Sequence, residues 1–232
     1  MSKKIILILA SAIIVFTSSA SLFSGDKNSP SLSESDTLNR KKIYKKFDVV
    51  KAPDIKYPNF EIDCGSYKYG NFTLLFGRYI IEPYLKTSEY NYGYRLLALN
   101  QKNELVFESD GSGDGRTFYP DFYKLDNNSP ILILVEISDE GGSWGNLIFS
   151  IKNDTIKKIG LINLAVFHSN GFETSLDDIS EVMKIEQTGD SLRFEFNADT
   201  LAHDPLGINE IHIKAKDWYY LYDNKTLKLI KK

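Results

Sequence analysis

Cysteine is nearly absent from this sequence: Cys64 is the one cysteine among 232 residues. A single thiol cannot form a disulfide within the chain, and no cysteine lies at the predicted cleavage site, where a lipid anchor would be attached. The neighbours of Cys64, from Glu61 to Tyr67, include no histidine or other base that would activate it. We therefore predict a buried thiol that packs as a small apolar side chain.

Long apolar runs are scarce after the N-terminus, and neither sign of charge dominates. The run from Ile131 to Val135 is bounded by Pro130 and Glu136, so it has the length of a strand rather than of a membrane-spanning helix. The 28 Lys and Arg residues nearly balance the 31 Asp and Glu residues. We predict no membrane span after signal removal, and no nucleic-acid partner because a domain-wide basic field is missing.

The first twenty residues have the pattern of a secretory signal peptide. Lys3 and Lys4 precede a mostly aliphatic run from Ile5 to Phe16, which has about a dozen residues against the roughly twenty of a spanning helix. Small side chains follow, and they predict cleavage after Ala20. We expect an exported protein, periplasmic or secreted, with an uncleaved anchor as the alternative.

Residues 21–46 are predicted to form a flexible linker. The stretch 24–39 consists mainly of Ser, Asp, Asn and Glu. Such a segment buries too little apolar surface to offset the conformational entropy that it would lose on ordering. The basic run from Arg40 to Lys46 is interpreted as a solvated edge, with contact to an anionic membrane or acidic glycan as the alternative. A single domain over 47–232 follows, long enough to bury its own core.

Aromatic residues are plentiful, with 14 Tyr, 14 Phe and 2 Trp, and this composition favours strands. Alternating apolar residues on both sides of polar turns predict four hairpins. They span Arg95–Phe107, Leu147–Ile159, Met183–Phe196 and Trp218–Ile230, and two further strands are predicted at 72–76 and 131–137. The fold class is mainly β, antiparallel and hairpin-rich, as a sandwich or curled sheet, with propeller-like blades as the alternative.

One short helix is predicted. Ser175 and Asp178 resemble a capping box, and Leu176, Ile179 and Val182 fit one helical face for about two turns.

A calcium loop is one candidate site. Asp110, Ser112 and Asp114 occupy the first, third and fifth positions of such a loop, Gly115 the sixth and Asp121 the twelfth. Short oxygen side chains and a sharp glycine turn are what calcium coordination requires. No helix is predicted on either side, however, and a plain surface loop has the same composition.

A hydrolase site is a second candidate. Gly141–Gly145 matches the G-x-S-x-G pattern with Ser143 as nucleophile, yet the alternation of Leu147–Ile151 predicts a strand where a nucleophile elbow needs a helix. A glycine-rich hairpin turn is therefore favoured. Glu136, Asp139 and Glu140 supply carboxylates for acid–base chemistry if two of them face each other, and otherwise form solvated charge.

Exposed aromatic residues are the last clue. Tyr90, Tyr92 and Tyr94 share one face if that stretch is extended, and Trp144 lies in the glycine-rich turn. Flat rings at a surface stack on sugars or anchor a protein. The sequence therefore favours a non-catalytic binding module for a glycan or protein partner, with a small envelope hydrolase using Ser143 or the carboxylates as the alternative.

Overall fold

The computed structural model describes residues 41–52, 55–80, 91–126 and 128–232, all within one compact unit. The predicted signal peptide, its cleavage after Ala20 and most of the predicted linker lie outside the described residues. The described chain is mainly β, and every strand pairing is antiparallel, so the predicted class is confirmed. No helix in this part of the chain has the length and apolar character that a bilayer crossing requires.

The described residues form nineteen strands and two single turns of 3₁₀ helix, at Ile179–Val182 and Ala215–Asp217. The strands are β1 (Lys42–Ile43), β2 (Lys45–Lys46), β3 (Val50–Lys51), β4 (Phe60–Tyr69), β5 (Phe72–Tyr79), β6 (Arg95–Leu99), β7 (Leu105–Glu108), β8 (Pro120–Lys124), β9 (Ile131–Asp139), β10 (Gly142–Lys152), β11 (Thr155–Ile162), β12 (Leu164–Ser169), β13 (Thr174–Asp177), β14 (Met183–Thr188), β15 (Ser191–Phe196), β16 (Thr200–His203), β17 (Ile211–Lys214), β18 (Trp218–Tyr222) and β19 (Leu227–Lys231).

These strands form four sheets. Sheet I has the spatial order β3-β4-β5-β6-β7, sheet II β2-β8-β9-β10-β11, sheet III β13-β12-β16-β17, and sheet IV β1-β14-β15-β18-β19. Sheets III and IV are built from alternating hairpins: β12–β13 and β16–β17 belong to one, β14–β15 and β18–β19 to the other. The two sheets therefore do not come from successive contiguous segments, as the blades of a repeat array do.

All four predicted hairpins are confirmed, as β6–β7, β10–β11, β14–β15 and β18–β19. Their turns carry residues that tolerate a positive φ. Asn153 and Asp154 have φ of 48° and 56°, as a two-residue hairpin turn requires, and Gly189 has φ of 58°. Local turn chemistry thus sets the register of each pair.

Sheet II is covered on both faces. Along β9, Ile131, Ile133 and Val135 pack in the core shared with sheet I, whereas Leu132 and Leu134 pack in the core shared with sheets III and IV. Burying each such side chain contributes roughly 1.5–3 kcal/mol. An uninterrupted apolar run is what a strand with two buried faces needs.

The predicted helix is wrong at its start. Ser175 lies in strand β13, where it pairs with His168, and does not cap a helix. Asp178 is the capping residue, since its Oδ1 accepts from the Ser180 backbone N–H at 2.9 Å, and the helix is the single turn Ile179–Val182. The capping residue is thus Asp178 rather than Ser175, three positions later than predicted.

The last residues of the predicted linker belong to the folded domain. Lys42 pairs with Gln187 of sheet IV, and Lys46 pairs with Tyr123 of sheet II. Tyr44 between them is buried in the core. The described basic residues, Lys41, Lys42, Lys45 and Lys46, are exposed, and the one buried ring anchors the segment across two sheets.

Cys64 is buried, as predicted, and no described residue forms a disulfide with it. Burial, with the neighbouring Asp63 carboxylate as the next cause, raises the pKa of the Cys64 thiol to about 12. The thiol is therefore protonated and unreactive in the native protein.

Candidate functional site

The glycine-rich loop from Asp110 to Gly115 is the centre of the candidate site. It lies against the segment before β6, because Gly113 N–H donates to Tyr92 O at 2.9 Å and Ser112 N–H donates to Tyr94 O at 2.8 Å. A Cβ on Gly111 would lie 2.0 Å from Tyr92 O. Glycine is required there because only a residue without a side chain permits this close approach.

The structure divides the predicted calcium ligands between two places. Asp110 Oδ2 lies 3.0 Å from the Lys158 ammonium, and Asp114 is an exposed residue of the loop. Asp121 lies on β8, with its Oδ2 at 2.7 Å from Lys46 Nζ. Lys158 is on β11, and strands β9 and β10 separate β11 from β8. Asp121 thus has other partners than the loop carboxylates.

A cleft of about 580 Å³ lies on one side of the loop, and we call it the Trp144 cleft. Trp144 occupies a bulge of β10 between Ser143 and Gly145, where a Cβ on Gly145 would lie 2.1 Å from Ile162 O. This bulge places the partly buried indole in the cleft. The apolar lining consists of Ile137, Trp144, Leu147, Leu161, Pro205 and Leu206.

The Trp144 cleft also contains polar groups. Asp139, Lys158, Asn163 and Asp204 line it, and Asn163 donates its amide N–H to Asp204 Oδ1 at 3.3 Å. Two further lining atoms, Ser112 Oγ and Trp144 Nε1, are buried without a hydrogen-bond partner. Buried polar atoms are usually paired, so these two are an unusual feature of the cleft.

A second cleft, of about 690 Å³, lies on the other side of the loop, and we call it the Tyr92 cleft. Tyr92 is 36% exposed, whereas the Tyr94 ring lies beneath the Arg78 guanidinium, 5.3 Å from Cζ to the ring centroid. Tyr94 also donates to Asp63 Oδ2 at 2.9 Å, and burial together with that carboxylate raises the pKa of Tyr94 to about 12. Asp139 lines both clefts.

The predicted tyrosine face is wrong in its described part. Tyr92 and Tyr94 lie in the loop before β6, not on a strand, and Tyr94 uses its ring and hydroxyl internally. Tyr90 lies outside the described residues. The structure brings Tyr92 and Trp144 to opposite sides of one loop, a proximity that the sequence order did not indicate.

Ser143 does not form a nucleophile elbow. It is 1% exposed, it lies in strand β10, and its Oγ accepts from Gly145 N–H at 3.3 Å. The predicted glycine-rich turn is confirmed, since β9 ends at Asp139 and β10 begins at Gly142. Without a helix after the serine, the oxyanion site of such hydrolases is not assembled here.

The carboxylates predicted as one cluster point to different partners. Asp139 Oδ1 accepts from Gly141 N–H at 2.7 Å, and Glu140 pairs with Arg116. Glu136 lies on the face of β9 that follows Leu132 and Leu134, toward sheets III and IV. Burial, with the Asp178 carboxylate as the next cause, raises the pKa of Glu136 to about 7.

Glu136 is therefore part of a different acidic group that sequence reasoning missed. Its pKa is also affected by Asp121 and Asp177, and the Ser143 hydroxyl hydrogen-bonds its carboxyl. Oxygen atoms of Asp121, Asp178 and Glu181 lie within 4.8 Å of one another, and within the described ranges no histidine joins such a group. Asp121 and Glu136 lie more than forty positions before Asp178 and Glu181, so no local pattern signals the group.

The chain matches no protein-family model, no curated protein and no solved structure.

Proposed function

We propose that this chain is a non-catalytic binding module, exported to the periplasm or beyond, that holds a glycan in the Trp144 cleft. We further propose a sandwich-type arrangement of layered sheets as its scaffold, because sheet II is covered on both faces. The observation that carries the proposed function is the partly buried indole of Trp144 in a cleft that also contains carboxylates, an amide and an ammonium group.

A sugar ring has one apolar face of C–H groups and a rim of hydroxyls. The indole of Trp144 offers a flat surface on which the apolar face of the sugar can stack. The sugar hydroxyls find hydrogen-bond acceptors and donors in Asp139, Asn163 and Asp204. A concave site with a mostly apolar lining and a few fixed polar groups is the general form of a small-ligand site. Asn163 holds Asp204 in place through its amide, so the acceptor is oriented before the ligand arrives.

The arrangement of the two clefts supports a ligand with more than one ring. Asp139 lines both, and the loop Asp110–Gly115 stands between them. The Tyr92 cleft adds an exposed ring and the Arg116 guanidinium. A glycan chain that crosses the loop would use Trp144 for one sugar and Tyr92 for another.

The burial of Ser143 supports binding rather than hydrolysis. A nucleophile that is 1% exposed does not reach an ester or glycoside. Glu136 faces away from Asp139 and Glu140, so the carboxylate cluster of the hydrolase alternative is also divided.

Tryptophan fluorescence tests the proposal directly, because the chain has two tryptophans. In Trp218→Phe, Trp144 is the only remaining fluorophore of this type. We expect a bound glycan, found by screening a glycan array with the purified protein, to shift the emission of this variant. Trp144→Phe keeps an aromatic ring in place and should reduce retention on the same glycans at least tenfold, with Trp218→Phe as the matched control.

Three results would contradict the proposal of a non-catalytic glycan-binding module. Equal retention of Trp144→Phe and Trp218→Phe would place the ligand elsewhere. Retention of an envelope protein that sugar does not release, with no glycan bound on the array, would identify a protein partner instead. Cleaved rather than intact glycan in the eluate would favour the hydrolase alternative.

A further inference from the structure

A group of oxygen side chains meets where the turn Ile179–Val182 packs over strands β8 to β10. Asp121 comes from β8, Glu136 from β9 and Asn146 from β10, while Asp178 caps the turn and Glu181 belongs to it. Ser180 Oγ lies 3.4 Å from Asp121 Oδ2 and is also hydrogen-bonded to Asp178. We call these five residues the acidic array: Asp121, Glu136, Asn146, Asp178 and Glu181.

The charge of the acidic array is compensated only on one side. Lys46 Nζ lies 2.7 Å from Asp121 Oδ2 and 3.7 Å from Glu181 Oε1. No ion pair in the described chain reaches Glu136 or Asp178. Asp121 is directly opposite Leu134 in the β8–β9 ladder, and Glu136 follows Leu134 by two positions, so both carboxylates leave sheet II on the same face.

Asn146 gives an independent indication of a ligand. It is 1% exposed, and its Oδ1 has no hydrogen-bond partner. Asn146 is directly opposite Glu136 in the β9–β10 ladder, two pairs beyond Leu134 and Ile148, so its side chain leaves the sheet on the same face as those of Glu136 and Leu134. A buried acceptor without a donor destabilises the fold, and this one stands beside the Glu136 carboxyl, which no ion pair in the described chain reaches.

From this geometry we infer that the acidic array binds a divalent cation of the calcium type through Glu136, Asn146 and Asp178. A cation provides a partner for the amide oxygen and for both carboxylates at once. The ligands are all oxygens, with no histidine or thiolate, and carboxylates with an amide carbonyl are the set that hard cations prefer. Lys46 holds the opposite side of the array, so the cation lies toward β9 and β10. This site is independent of the proposed glycan clefts.

Terbium luminescence is the direct test, because Tb³⁺ occupies calcium sites and is excited by a nearby tyrosine. Tyr123 interacts electrostatically with Asp121, Asp178 and Glu181 and is therefore close enough to sensitise it. We expect saturable Tb³⁺ emission from the purified protein that Ca²⁺ displaces. Glu136→Gln and Asp178→Asn remove charge with little change of shape and should each weaken Tb³⁺ binding at least tenfold. Asp139→Asn is the matched control, since this carboxylate lies outside the array, and should bind as wild type.

A thermal melt provides a second measurement that does not depend on a fluorophore. A ligand that binds only the native state raises the melting temperature, by roughly 5 °C at a concentration about 100 times its Kd. We expect this rise with CaCl₂, compared with a chelator at equal ionic strength, in wild type and Asp139→Asn but not in Glu136→Gln. A flat melt together with no displaceable Tb³⁺ emission would overturn the inference. Equal Tb³⁺ affinity of Glu136→Gln, Asp178→Asn and Asp139→Asn would overturn it too.

Discussion

The Lys158 ammonium lies 3.0 Å from Asp110 Oδ2 and ties strand β11 to the glycine-rich loop. The pair is exposed, with 42% of the Lys158 and 70% of the Asp110 side chain accessible. A protein cation therefore already neutralises the residue that the sequence placed first in a calcium loop. The contact also closes one side of the Trp144 cleft, which Lys158 lines.

The double change Asp110→Asn and Asp114→Asn separates the loop from the acidic array as a cation site. We expect the calcium-dependent rise in melting temperature to remain, because both residues lie outside the array. The free energy of unfolding should change by less than about 1 kcal/mol, since exposed ion pairs contribute little. A melt with and without chelator measures both quantities. Loss of the calcium response in this variant would assign the cation to the loop instead.

Cys64 should resist thiol reagents in the native protein. Its pKa is raised to about 12 by burial and by the Asp63 carboxylate, so at about pH 8 the reactive thiolate is a fraction on the order of one in ten thousand. Labelling with a chromogenic disulfide should therefore proceed at the rate of unfolding and become complete at once in denaturant. Rapid labelling of the folded protein would contradict the burial of this thiol.

The β18–β19 turn should contribute a pH-dependent part of the stability. Backbone N–H groups of Thr226 and Lys225 donate to Asp223, and they hold the pKa of its carboxyl below the usual value. A lowered folded-state pKa means that the charged form stabilises the fold above the unfolded pKa, near 4, and that this contribution is lost as the pH falls through the folded pKa. Asp223→Asn keeps the acceptor and removes the charge.

We therefore expect Asp223→Asn to melt below wild type at about pH 7 and to approach it as the pH falls through the lowered pKa of Asp223. Thermal melts over this range, at constant ionic strength, measure the difference. Asp190→Asn, in the turn between β14 and β15, is the control for general charge effects. If the melting temperature of wild type exceeded that of Asp223→Asn by the same amount over the whole pH range, the charge of Asp223 would not be the source of the difference.

The hairpins were predictable because each one depends on neighbouring residues alone. Alternation on both sides of Asn153 and Asp154 specifies a pair of strands, and the positive φ of both residues fits the turn. The exchange of hairpins between sheets III and IV was not predictable, because it depends on which apolar faces pack together rather than on any local pattern.

The candidate sites illustrate the same division. Ser112 and Asp114 were correctly placed in one loop, since only Gly113 separates them in the sequence. Asp121 lies on the next strand, β8, and its carboxylate is close to that of Asp178, which comes much later in the chain. The partners of Glu136 were missed because β13 and the turn after it fold over β10, where Leu176 O would lie 2.6 Å from a Cβ on Gly142. Spacing along the chain carries no information on such contacts.

Gly111 should be the least replaceable residue of the loop between the two clefts. A Cβ at this position would lie 2.0 Å from Tyr92 O and 2.4 Å from its carbonyl carbon. These are backbone atoms, so the loop and the segment before β6 must separate to accept a methyl group. We expect Gly111→Ala to lower the free energy of unfolding by about 2–3 kcal/mol. We also expect it to weaken glycan retention, because the loop that separates the Tyr92 and Trp144 clefts would move.

Gly113→Asn is the matched control in the same loop. Gly113 has φ of 68° and no heavy atom within 4 Å of a Cβ, so it is constrained by its backbone angle alone. Asparagine tolerates this angle better than other residues with side chains, and we expect a loss of less than about 1 kcal/mol. Urea denaturation of both variants measures the difference. Equal stability of the two would mean that the loop is not held against Tyr92 as closely as these distances require, and the separation of the two clefts would then lose its structural basis.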